Sequence, residues 1–141
     1  MKRLLMLVLL VGLMTVSYGM EEKTKIDDLR ELSAIVEVRM AEEESTAGMM
    51  GVQEFEYHHL EKLIDKKYVE ITEKLEDDQW ILFEGAQKSW DEYVKKELIF
   101  YRDYYDTEGT IWSLYYGEKR NSMFRKRVEA LENLAEELEG Y

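Results

Sequence analysis

The only two histidines in the chain are adjacent, and with the carboxylate before them they give Glu56-x-x-His59. On a helix this spacing puts a carboxylate and an imidazole on one face, which is one half of the di-metal site of carboxylate-rich bundles. The other half needs a histidine elsewhere, and there is none. Adjacent helical side chains also point about 100° apart, so His58 and His59 do not converge on one ion. The pair reads as solvated surface, and no metal or cofactor is expected. Among 31 Asp and Glu residues, carboxylate pairs suited to glycoside hydrolysis will occur by chance, but nothing selects one. No serine lies in a nucleophile-elbow glycine pattern, and neither a phosphate loop nor a dinucleotide fingerprint is present. No catalytic residue is nominated, and the chain reads as a non-enzyme.

The unusual feature is aromatic. Phe100, Tyr101, Tyr104, Tyr105, Trp112, Tyr115 and Tyr116 crowd around Gly109. One helix face cannot bury them all, so some must stay exposed or line a groove. Exposed Tyr and Trp supply contact area, and neighbouring carboxylates suit a basic partner. Tyr101, Tyr104, Tyr105, Trp112, Tyr115 and Tyr116 are therefore candidate partner-binding residues. The alternative is a ring cluster that closes the end of a bundle with its hydroxyls in water.

Charge narrows the partner. Lys and Arg total 19 against 31 acidic residues, a net charge of −12. Nucleic acid and anionic membrane surfaces, which are bound mainly through Lys and Arg, are poor partners for such a chain. A cationic protein would be attracted and steered. The first residues add a location. Lys2 and Arg3 precede an apolar run from Leu4 to Val16, followed by the small residues Ser17 and Gly19, the pattern of a secretory signal peptide over residues 1–19. The run is too short to span a bilayer comfortably. The expectation is cleavage before Met20, export to a periplasmic or extracellular location, and no stable membrane insertion afterwards. Losing Lys2 and Arg3 takes the net charge from −12 to −14, and removing 19 of 141 residues leaves 122, one domain's length. Exported domains commonly carry disulfides, but Cys is 0, so packing alone must hold this one.

The elements that position these residues read as helices. Pro is 0, and no useful stretch alternates as a strand would. Thr24 to Glu44 places Ile26, Leu29, Leu32, Val36 and Met40 at spacings of three and four, after a Thr24-x-x-Asp27 capping pattern. Gly48 and Gly51 predict a break or loose turn over residues 45–51. Tyr57, Leu60, Ile64, Tyr68, Ile71 and Leu75 then form a continuous stripe. Asp77 and Asp78 can cap a third helix, whose expected buried residues are Trp80, Phe83, Trp90, Val94, Leu98 and Tyr101. A last helix spans about Thr110 to Glu139, with Phe124, Val128, Leu131, Ala135 and Leu138 at heptad-like spacing and Gly117 as a possible irregularity. The fold class is all-α, an antiparallel three-helix core with an additional N-terminal helix. Residues 20–45 carry that helix and 46–141 the main domain.

Four short motifs, in order, carry a resemblance. Ile64-Asp65-x-x-Tyr68 is similar to a Leu-Asn-x-x-Tyr motif, and Ala86-Gln87-Lys88-Ser89-Trp90-Asp91-Glu92-Tyr93 to Ala-Gln-x-x-Trp-x-x-Tyr. Glu108-Gly109-Thr110 is similar to a Gly-Gly-Ser/Thr turn, and Arg127-Val128-Glu129-Ala130-Leu131 to a closing Arg-x-x-x-Leu. From about Thr46 to Leu134 the chain resembles the N-terminal domain of LprI-like lysozyme inhibitors, as a variant without that family's usual cysteines. It also has Val94 where the family often has Arg. The resemblance implies a helical binding protein whose partner is a cationic lysozyme, inhibited by covering its cleft. The alternative is a structural or stress-related envelope protein of the same fold with no enzyme target. The motif residues themselves, Ile64, Asp65, Tyr68, Gln87, Trp90, Tyr93, Gly109, Arg127 and Leu131, read as structural: Gln87 and Trp90 share a helix face, and Tyr68 and Arg127 suit each other as polar-tipped partners on adjacent helices.

Overall fold

The computed structural model describes residues 25–106 and 109–140. Its elements are α1 (Leu29–Glu42), α2 (Thr46–Thr72), α3 (Asp77–Tyr104) and α4 (Thr110–Glu139), with no strand among the described residues. The expected signal segment and the start at Met20 lie outside them. Consecutive helices reverse direction, so α2 and α4 run parallel. Asn121 Nδ2 donates to the Gln53 carbonyl at one end, and Lys74 Nζ to Glu139 at the other.

This parallel pair is the centre of the fold. Leu60, Leu63, Ile64 and Ile71 of α2 meet Phe124, Val128, Leu131 and Ala135 of α4, and all are buried. The all-α core with a preceding helix agrees with the sequence reading. α1 lies antiparallel along one side, contributing Leu32. Glu132 of α4 accepts from the Leu29 N–H at 2.9 Å, and the Arg39 guanidinium covers the Phe55 ring at 4.0 Å. α3 lies on the other side and rests mainly on α4. It contributes a single fully buried apolar residue, Val94.

Helix ends differ from expectation where a better cap was available. Asp28, not Thr24, caps α1, its carboxylate accepting from the Glu31 N–H at 2.8 Å; Thr24 lies outside the described residues. The break before α2 falls at residues 43–45, and Gly48 and Gly51 are helical. Ser45 Oγ accepts from the Gly48 N–H at 3.0 Å, satisfying a donor of the first turn, and this cap offsets the low helix propensity of two glycines. Glu76 precedes α3 as its cap, with its N–H donated to the Gln79 side chain at 3.1 Å, while Asp77 and Asp78 occupy the first turn. Trp80, expected to be buried, is 38% exposed. α4 passes through Gly117 without interruption. A Cβ at Gly117 would collide with the Gln53 amide, so this glycine permits the close approach of α4 to α2.

Candidate functional site

Two regions hold the residues nominated from sequence, and a third was missed. Two of the motifs meet where α3 leans on α4. Gln87 Oε1 accepts from Arg127 Nε at 3.0 Å and from Arg127 Nη2 at 2.6 Å, while Gln87 Nε2 donates to Asp91 at 3.4 Å. Trp90 meets Phe124 edge-on at 5.2 Å, with the Arg127 guanidinium 5.5 Å from its ring. The expected pairing of Tyr68 with Arg127 is not formed. Arg127 goes to Gln87, and Tyr68 stacks on Phe83 at 5.5 Å. Ile64 and Leu131 are core, Tyr93 is exposed on the flank of α3 away from α2, and Gly109 begins α4 at φ 123°, a conformation that favours glycine.

Because α3 leans on α4, a groove of about 1060 Å³ stays open between α3 and α2. Tyr57, Tyr68, Trp90 and Phe124 form its aromatic walls, and Asp65 and Asp91 face it from the two helices. Burial, then the charges of Glu61 and Asp91, raise the Asp65 pKa. Burial also raises that of Asp91, opposed by Lys95, Arg127 and the Gln87 bond. Tyr68 is raised by burial and by Glu84. Trp90→Ala should lower stability by about 3 kcal/mol, the low end for a large aromatic because the ring is only partly buried. Gln87→Ala should cost about 1–2 kcal/mol, since it removes the acceptor of Arg127. Chemical denaturation of both variants measures the difference, and the reverse order would place the weight of the α3–α4 contact on the amide.

The second region is the turn from α3 to α4. Tyr105 is its hub, stacking on Tyr101 at 6.2 Å, Trp112 at 5.9 Å and Tyr115 at 6.0 Å. Tyr104 meets it edge-on at 5.1 Å and stacks on Phe100 at 5.9 Å. Five of the six nominated residues thus form one array; Tyr116 is partly buried and joins none of these ring pairs. The array faces outward, with Tyr104 64% and Tyr115 51% exposed, and Phe100 and Ile111 extend it. Asp103 and Asp106 are exposed beside it, and Lys119 Nζ lies 5.6 Å from the Tyr101 ring.

The third region is a buried polar network between α2 and α4. Glu56, only 2% exposed, accepts from Asn121 Nδ2 at 2.8 Å and from both Arg125 Nε and Nη2. Arg125 also reaches Glu118, and the bond to Glu56 is the largest cause of its raised pKa. Arg120 donates to Asn121 Oδ1 at 3.1 Å, pairs with Glu54 at 2.8 Å and covers the Tyr57 ring at 4.0 Å. Glu56 is therefore committed to arginine and asparagine and turns away from His59. His59 approaches the Phe55 carbonyl at 2.9 Å, and burial lowers its pKa. Among the described residues no group of three His, Cys, Asp or Glu side chains is placed to hold a metal. Glu56 lies on the same stripe as Val52, Leu60 and Leu63, which was the available sign of its burial.

The helical bundle thus carries a ring array at one end and an amide–indole–guanidinium tie between its last two helices. A family model described as lysozyme inhibitor LprI matches residues 38–131. The match covers two thirds of the chain, and the chain belongs to that family. No curated protein and no solved structure matches it significantly.

Proposed function

We propose that this chain is an exported inhibitor that seats the ring array of the α3–α4 turn on a cationic lysozyme and covers its substrate cleft. The observation that carries the reading is a stacked ring array whose Tyr104 and Tyr115 are exposed beside carboxylates, in a chain of net charge −12 that belongs to an inhibitor family. Aromatic anchors supply most of the energy in protein interfaces, and opposite charge brings partners together. Export rests on the basic start and apolar run of residues 1–19, and no described helix is long and apolar enough to cross a membrane. The reading is that of a binding protein without catalytic residues.

The test compares retention of lysozyme with retention of an unrelated basic protein of similar charge. Lysozyme should be held in preference. Its association should slow as salt rises, because steering between opposite charges is screened over about 8 Å at physiological ionic strength. Equal retention of both proteins would reduce the interaction to charge attraction and remove the enzyme target.

A further inference from the structure

We propose that the groove between α2 and α3 receives an arginine side chain of a basic protein partner, its stem on Tyr68 and Trp90 and its guanidinium answered by Asp65 and Asp91. The proposal rests on the reading that the partner is basic, and it adds a second contact to the ring array. Three observations support it.

First, the groove suits a long side chain with a charged tip. Its lining combines Tyr57, Tyr68 and Trp90 with the carboxylates Asp65 and Asp91, and arginine buries its stem while keeping its head among polar groups. Second, the charges facing the groove lack a cation at Asp65. That carboxylate makes no hydrogen bond or ion pair among the described residues, and its charged neighbours Glu61 and Asp91 are both anionic. Lys62, Lys88 and Lys95 also line the groove, but they are exposed and none is paired with Asp65. An incoming cation would relieve the repulsion among the three carboxylates. Third, the groove ends close to the ring array along α3, since Leu98 lines it and Tyr101 lies about one turn on.

Arginine fits better than lysine because its planar guanidinium can stack on a ring while bonding to a carboxylate in its plane. The chain already uses guanidinium on rings at Arg39 on Phe55 and Arg120 on Tyr57.

The experiment titrates the protein with N-acetylarginine amide and, separately, with its uncharged citrulline counterpart, following backbone amide and tryptophan indole signals by NMR. The arginine probe should move the Asp65, Gln87 and Asp91 amides and the Trp90 indole, and citrulline should not. Asp65→Asn, at a half-exposed position outside the core cluster, should weaken the arginine probe about tenfold, the loss of one charge-assisted contact. Equal response to both probes, or unchanged arginine binding by Asp65→Asn, would overturn the proposal. Arginine binding in the groove by a protein that fails to inhibit lysozyme would uphold the groove and reject only the enzyme target. Lysozyme inhibition without any arginine response would do the reverse.

Discussion

Glu56→Ala should destabilise the protein by about 3–5 kcal/mol, the range for breaking a buried ion pair by removing one partner. Glu56 is nearly inaccessible and takes bonds from two residues of α4, Asn121 and Arg125. Removing its carboxylate leaves the fully buried Asn121 Nδ2 with only the Gln53 carbonyl, and leaves Arg125 with only Glu118 at the surface. The penalty comes mainly from those stranded partners rather than from the loss of an attraction. Glu54→Ala, two residues away, is the control. Its own carboxylate is mostly exposed, but its partner Arg120 is buried, so its loss should cost about 1–3 kcal/mol, less than that of Glu56. Urea unfolding of the two variants measures the difference. Similar small shifts for both would mean that the network adds little to the α2–α4 contact.

The contrast explains how far the sequence could be read. The apolar stripe of α2, the heptad-like spacing of α4 and the absence of Pro made an all-helical bundle legible, because burial of one face follows directly from the period of the pattern. The end of α3 and the start of α4 were legible for the same reason, since more rings occur there than one stripe can bury. The Glu56 network was not. A carboxylate three residues before a histidine reads as surface or as a ligand until the arginine and asparagine that surround it are known, and these come from α4, more than sixty positions later. The groove was hidden too. Trp80 and Phe83 fit a buried stripe on α3, but Trp80 is exposed, and the choice of α4 over α2 as its main support leaves the α2–α3 face open. The start of α2 was misplaced because two glycines outweighed one serine in the reading, whereas Ser45 caps the helix.

The largest functional effect is expected at the ring array. Tyr104, Tyr105 and Trp112 changed together to Ala should weaken binding to lysozyme by about a hundredfold or more, because aromatic anchors at an interface centre cost about 2 kcal/mol or more each when truncated. Tyr105 is the hub that aligns Tyr101, Trp112 and Tyr115, so its loss also scatters the rings that remain. The rings lie outside the main core cluster, so the variant should stay folded. A retained helical signal with a cooperative melt verifies this.

The direct measurement is the rate of cell-wall lysis by lysozyme as the protein is added to excess. Lysis should fall toward zero with the native chain and persist with the Tyr104, Tyr105 and Trp112 variant at the same concentration. Unchanged lysis at excess native protein, or equal inhibition by the folded variant, would contradict the account.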